Sequence, residues 1–313
     1  RALAAAAPLL SAEPDRPAPA ALAAWLLVAG RTVATAAARH RLGDDLARLV
    51  DLGLVAIDGE LTRARFAVVP IGAALAVCDR ADATPAPDSV LYPDDSSHHL
   101  VGALPGRRDD RRLGRWLDVG TGAGIALAAA PGLAGFAAGT DVNPRALALA
   151  QLSAALSGVT AAFRIADLLP RDATLDERWG APWDLVTFNA PIPDGLSAGA
   201  IAGEEAAAAR PVWRSIGGGA EVLLRFAAQA ADALTPTGEV ILHAVLPDGL
   251  AAVPAPLGGR AITARYTPPG ISPAFGVTWW WPRAARTERR VVEIALTAAA
   301  PHVRRAAVLG PPG

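Results

Sequence analysis

The chain has 313 residues, of which 52% are hydrophobic and 19% charged, with a formal net charge of −1. That balance supplies ample core for one large domain or two smaller ones, and it excludes both a strongly basic nucleic-acid field and an acidic tail. Cys78 is the only cysteine, which excludes an internal disulfide and fits a reducing, cytoplasmic compartment.

Usage is skewed in a way that sharpens the reading. All 29 basic residues are Arg, and Asn occurs only at Asn143 and Asn189. In a chain that has nearly lost Asn, each survivor calls for a chemical reason.

Residues 1–18 are rich in Ala and Pro and read as a flexible arm. Arg1–Leu10 has a faint secretion-signal look, but Glu13 and Asp15 flank it, and the signal reading is set aside. The apolar stretch Ala20–Gly30 falls short of the roughly 20 residues that cross a bilayer, so no membrane association is expected.

Residues 19–80 predict a small winged-helix-like domain. Helices are expected over Ala20–Val28, Val33–His40 and Asp44–Leu52, with Leu46, Leu49 and Val50 at helical spacing and Gly53 as the stop. A hairpin follows, with strands over 54–57 and 66–69 and a turn at Asp58-Gly59. Such a module can read DNA, cover a substrate or make a homodimer. The third helix carries Asp44, Asp45 and Asp51 against Arg48, a poor match to phosphates, so DNA binding is not expected.

Residues 81–93, with three prolines, read as a linker. From residue 94 to 313, strands alternate with helices in the α/β doubly wound pattern. After a helix over Ser96–Leu104, strands are expected over Trp116–Val119, Gly135–Thr140, Ala161–Ile165, Leu185–Phe188, Glu239–Val245, Ile262–Tyr266 and Val291–Leu296. A helix over Ala220–Leu234 precedes the fifth strand.

The first strand ends in Leu117-Asp118-Val119-Gly120-Thr121-Gly122-Ala123-Gly124. Glycines let the backbone turn tightly and approach a ligand without a Cβ in the way. A dinucleotide fingerprint spaces them G-x-G-x-x-G, whereas here they fall G-x-G-x-G behind a carboxylate that would repel a diphosphate. Asp118 suits a cationic group instead, which points away from NAD and towards S-adenosyl-L-methionine. Asp141 ends the next strand, 21 residues after Gly120, where an acid binds ribose hydroxyls. Asn143-Pro144 beyond it reads as a helix N-cap with proline at the first turn. Asp167 ends the third strand, placed to accept from an adenine amino group.

With these motifs the chain resembles the class I S-adenosylmethionine-dependent methyltransferases over roughly residues 90–300. Asp141-Val142-Asn143-Pro144-Arg145-Ala146-Leu147-Ala148-Leu149-Ala150 is similar to the methyltransferase small domain group, which includes release-factor glutamine methyltransferases and RNA amino-methyltransferases. Tyr92-Pro93-Asp94-Asp95-Ser96-Ser97-His98-His99-Leu100 resembles that group's entry segment, which closes over the cofactor. The resemblance implies a Rossmann-like seven-stranded α/β methyltransferase domain. It implies that Gly120, Gly122 and Gly124 face the methionine part, Asp141 the ribose and Asp167 the adenine, with Asp118, Thr121, Val142, Leu168 and Asn189 among the cofactor-binding residues.

That group carries Asn-Pro-Pro-Tyr or Asn-Pro-Pro-Phe after the fourth strand, where the Asn oxygen and the next carbonyl orient a nitrogen acceptor and the ring stacks on it. This chain reads Asn189-Ala190-Pro191-Ile192. Asn189 matches, Ala190 keeps the carbonyl, and Ile192 removes the ring, a loss of about 1–3 kcal/mol of stacking. The expected activity is methyl transfer to an amide or amine nitrogen on a protein glutamine, an RNA base or a small metabolite. Small-molecule O-methylation and a non-catalytic regulator on the same fold are the alternatives, and the intact glycine loop argues against the latter. No metal is expected: His98-His99 lacks a partner at ligand spacing. The segment Pro193–Gly219, with Arg210, Trp213 and Arg214, reads equally as a lid or a surface loop. Trp279-Trp280-Trp281, with the arginines after it, is expected to cover the core around the last strands.

Overall fold

The computed structural model describes residues 19–72, 74–80, 82–84, 86–93, 95–104, 113–170, 177–180, 182–191, 222, 225–226, 229–230, 232–246, 263–267 and 275–281. Ile192, the Pro193–Gly219 segment and the expected strand Val291–Leu296 lie outside them, as does the N-terminal arm.

Helix α1 (Pro19–Ala23) runs directly into a π-helical turn, Ala24–Val28. The expected helix from Val33 begins two residues later. Val33 and Ala34 form strand β1, and α2 spans Thr35–Leu42. Gly43 alone separates it from α3 (Asp44–Asp51), its φ of 54° turning the chain where an L side chain would be strained. Strands β2 (Val55–Asp58) and β3 (Leu61–Ala64) then make a hairpin with Asp58 opposite Leu61, and β1 joins its far side in the order β1-β3-β2.

The hairpin corrects the expected pairing with 66–69. Gly59 opens a two-residue loop at φ 59°, so the chain must return at Leu61. The apolar run expected to return instead forms β4 (Ala67–Ile71), which pairs with β5 (Ala74–Cys78) in a separate two-stranded sheet.

Helix α4 (Asp95–Ala103) leads into a seven-stranded sheet. Its strands are β6 (Leu113–Val119), β7 (Ala134–Asp141), β8 (Ala162–Ile165), β9 (Trp183–Asn189), β10 (Leu234–Leu246), β11 (Thr263–Thr267) and β12 (Phe275–Trp281). They lie in the order β11-β12-β10-β9-β6-β7-β8. The five from β10 to β8 are parallel, while β12 runs antiparallel to both β10 and β11. The Trp279–Trp281 run, expected as core cover, is thus the end of a strand, in keeping with the β preference of aromatic residues.

Parallel strands bury both faces and therefore read as near-continuous apolar runs. The period of two sorts them here. Leu117, Val119, Val186, Phe188, Val240 and Leu242 fill the core on one face, beneath helical residues between 222 and 233. Trp116, Leu185 and Ile241 fill the other, with Leu100 and Leu127. Helix α5 (Ile125–Ala129) links β6 to β7, and α6 (Pro144–Leu156) links β7 to β8. A third core joins α1, β4 and β5 to Ala146 and Leu149 of α6. Buried Ser153 of α6 ties the two parts together by accepting a 2.8 Å bond from the Val77 amide.

Candidate active site

The chain leaves β6 towards β7 on one side of the sheet and later returns to place β9 on the other, so the direction of winding reverses between β6 and β9. Open α/β sheets bind ligands at such a point, outside the carboxyl ends of the strands. A cavity of about 420 Å³ lies there. Residues at or just beyond the ends of four strands line it: Gly120 after β6, Asp141 on β7, Asp167 after β8 and Asn189 on β9.

Asp118 is the most constrained group in the site. It is 2% exposed. The Thr121 hydroxyl donates to Oδ2 at 2.7 Å and the Thr187 hydroxyl to Oδ1 at 2.6 Å. Thr187 in turn accepts from the Trp116 indole N–H at 2.9 Å. Burial pushes the Asp118 carboxyl up to about 6, with the two hydroxyls pulling down and nearby Asp141 pushing up. Each oxygen keeps a second lone pair for a ligand.

Gly120, Gly122 and Gly124 all have positive φ, at 58°, 53° and 74°. A Cβ on Gly122 would meet nothing within 4 Å, so its bare backbone borders open cavity. Gly124 differs from the expectation that it faces a ligand. It is not among the cavity-lining residues, and a Cβ there would sit 3.0 Å from the backbone of Ala150, so it lets α5 approach α6.

Asp141 accepts from the Gly122 amide on Oδ2 and the Asn143 amide on Oδ1, each at 2.9 Å. Burial raises its carboxyl, and these amides, with that of Val142, draw it back. Val142 and Leu91, both lining the cavity, are 52% and 42% exposed. Asn143 caps α6 through a 2.9 Å bond from the Arg145 amide. Asp167 is paired with Arg225. Next to it, Leu168 is the one non-glycine with positive φ among the described residues, at 65°, and its carbonyl accepts from Thr140.

Asn189 donates from Nδ2 to the Ser96 hydroxyl of α4 at 2.7 Å. Its donor side is therefore engaged, and its Oδ1 acceptor is what it can offer a ligand. Ala190 and Pro191 also line the cavity, and the Ala190 amide is fixed by the carbonyl of buried His243. Two contributors were not anticipated. Thr187 sits 69 residues from Asp118, its one signal being a hydroxyl inside an apolar strand. Ser96 lies in the entry segment, but nothing local marked it as the partner of Asn189.

The cavity walls carry Asp118, Asp141 and Asp167, and no Arg or His among the described residues. Among those residues no group of three His, Cys, Asp or Glu could hold a metal, and no helix is long and apolar enough to cross a membrane.

No protein-family model and no curated protein matches the chain. Solved structures similar to it include a ribosomal protein L11 methylase from Lactobacillus delbrueckii subsp. bulgaricus, at 22% identity and TM-score 0.39, covering 60% of this chain and 77% of that one. The T. thermophilus 16S rRNA N2 G1207 methyltransferase, solved with AdoMet and guanosine, is similar at 16% identity and TM-score 0.44, over 78% of this chain and 62% of that one. A SAM-dependent methyltransferase from Agrobacterium tumefaciens is similar at 14% identity and TM-score 0.44, over 75% and 79%. At these scores the likeness is one of partial overall shape and assigns no activity.

Proposed function

We propose that the chain transfers a methyl group from S-adenosyl-L-methionine to a nitrogen of an amide or amine acceptor. The observation that carries the reading is the charge of the cavity. Three carboxylates line it, of which Asp167 is paired with Arg225 while Asp118 and Asp141 have no cationic partner among the described lining residues, and an uncovered glycine backbone borders it at the sheet's switch point. Such a wall repels a diphosphate and suits a ligand with an ammonium and a sulfonium group. Its size, about 420 Å³, falls in the range of small-molecule sites.

In this reading Asp118 pairs with the ligand's amino group, with Gly120, Thr121 and Gly122 as the loop beneath it. Asp141 accepts from ribose hydroxyls next to Val142, and Asp167 and Leu168 take the adenine end. When bound, the cofactor supplies an electrophilic methyl on sulfur. Asn189 Oδ1 and the Ala190 carbonyl accept the hydrogens of the incoming nitrogen and aim its lone pair. Pro191 walls the acceptor side. Transfer of that methyl would leave the demethylated sulfide of the cofactor, and the methylated nitrogen would lose its proton to solvent. Orientation of this kind supplies about 7–11 kcal/mol when reacting atoms are well aligned.

The domain arrangement proposed with it is a winged-helix-like module over residues 19–80, a linker over 81–93 and a methyltransferase domain over 94–313. The helix–strand–helix–helix–hairpin order and the three-stranded sheet support that module.

Calorimetry tests the cofactor and label transfer tests the chemistry. S-adenosylmethionine or its demethylated product should bind, NAD should not, and tritium should pass from labelled methyl to a component of cell extract. Binding of NAD without S-adenosylmethionine would reject the reading.

A further inference from the structure

A second concavity, of about 370 Å³, lies between the β2–β3 hairpin and the residues after β5. Arg63, Arg65 and Arg80 line it, with Asp82 as the one carboxylate of its lining. Arg80 is committed to the fold: its guanidinium grips Asp82 and donates to the Ala64 carbonyl at 3.0 Å. Arg63 and Arg65 are not. They alternate with buried Thr62 and Ala64, so both stand on one exposed face. The carboxylate paired with Arg63 is Asp58, 4.0 Å away, both side chains being more than half exposed, and such a pair holds little. Arg65 has no ion pair among the described residues.

The two cavities are opposite in charge and joined by one strand of chain. Asp82 and Ala83 line the basic concavity, while Pro87, Ser89, Val90, Leu91 and Tyr92 line the main cavity. The four residue-to-residue steps from Ala83 to Pro87 span at most about 14 Å. A nucleic-acid strand stacked at about 3.4 Å per nucleotide covers that distance in about four nucleotides. The main cavity disfavours anions, so a phosphate cannot be what enters it. A ligand that fits both surfaces carries a neutral group for the cavity and negative charges a few units away.

We propose that Arg63 and Arg65 seat the phosphodiester backbone of a single-stranded polynucleotide, one of whose bases enters the cavity as the methyl acceptor. The base assignment rests on the methyl-transfer reading; the strand binding does not. Duplex reading by α3 is not involved, since Asp44, Asp45 and Asp51 leave that helix acidic.

The test is fluorescence anisotropy of short labelled strands across a salt series, with S-adenosylhomocysteine present. Single-stranded RNA should bind, with a salt slope that falls by about 1.4 in Arg63→Gln/Arg65→Gln, since each phosphate neutralised on a single strand contributes about 0.7. Affinity at low salt should drop about tenfold, and Arg63→Lys/Arg65→Lys should retain most of the slope. Single-stranded DNA of the same sequence distinguishes the source: weaker binding assigns RNA, equal binding a strand of either sugar. The proposal is overturned if neither strand binds, if the Gln variant keeps the wild-type slope, if duplex binds better than single strand, or if polyglutamate competes as well as the strand does. Calorimetry with S-adenosylhomocysteine checks that the variants are folded. Failure of the unaltered protein to bind it would sink the methyl-transfer reading and leave the strand result standing.

Discussion

Asp118 carries its charge where the fold makes charge expensive. Its carboxyl is raised from 3.8 to about 6, chiefly by burial. A folded value above the unfolded one means the group favours folding most below pH 3.8 and loses that contribution as pH rises to about 6. The cost of ionising it at neutral pH is on the order of 3 kcal/mol. A cationic ligand would recover part of that cost. S-adenosylmethionine affinity should therefore rise between pH 5 and 7 with a midpoint of about 6. Asp118→Asn should flatten that profile and weaken binding at pH 7, while its thermal midpoint there equals or exceeds that of the parent. A variant whose pH profile matches the parent would place the titration elsewhere. Asn189 makes a different prediction, because in the proposed reading it acts on alignment. Asn189→Ala should lower turnover about a hundredfold with cofactor affinity nearly unchanged, a loss felt in the transition state. Normal turnover on the identified acceptor would make it a turn residue held by Ser96. The carboxylates were legible because an acid before a glycine turn or at a strand end is a local signal. Their partners were not, since Thr187 and Ser96 meet Asp118 and Asn189 only after the chain has crossed the sheet.

At the scale of elements, the glycine loop divides its labour in a way that spacing alone does not show. Gly122 borders space, whereas Gly124 holds two helices at contact distance. Both have positive φ, so alanine is strained at either. At Gly124 it also meets the Ala150 backbone, which cannot rotate away as a side chain could. Gly124→Ala should cost about 1–3 kcal/mol more than Gly122→Ala, read as a lower thermal midpoint. Gly122→Ala should show the larger loss of cofactor affinity relative to its loss of stability. A reversed order would exchange the two roles. The parallel strands were legible for a related reason: burial on both faces writes itself as an unbroken apolar run. The strand Phe275–Trp281 was not, because three adjacent tryptophans carry no alternation to follow. The β4–β5 hairpin was missed through the turn before it, where a two-residue loop commits the chain earlier than its apolar pattern suggests.

Across the whole molecule, the residues from Pro87 to Tyr92 bring the N-terminal part to the cavity, and Arg145 and Asn143 hold that segment. Arg145, on the first turn of α6, forms a two-pronged pair with Asp79 and donates to the Asp88 carbonyl at 3.2 Å. Asn143 donates to the same carbonyl, and Asp79 also accepts from the Val90 amide at 2.7 Å. None of this was legible in the sequence, where residues 81–93 read as a linker and Arg145 stood only as part of the motif that carries the family resemblance. The clamp exists only because β5 packs on α6. Burial would raise the Asp79 carboxyl, but the bonds from Arg145 and Val90 outweigh it and hold the carboxyl below its ordinary 3.8. The pair therefore stabilises at every pH above that value and is lost as pH falls through the lowered one. Since Val90, Leu91 and Tyr92 are cavity wall, releasing the clamp should be felt as binding. Arg145→Ala should weaken S-adenosylhomocysteine binding about tenfold and speed exchange of the Val90 amide hydrogen, as expected for loss of about 1.5–3 kcal/mol of charged hydrogen bonding. Asp79→Asn should do the same, and the double variant should be little worse than either, because both remove one interaction. Arg145→Lys keeps the charge without the planar fork and should fall between. If the single variants were additive, or if affinity held while the Val90 amide exchanged freely, the cavity wall would be set by the segment's own packing and the clamp would serve only to join the two halves.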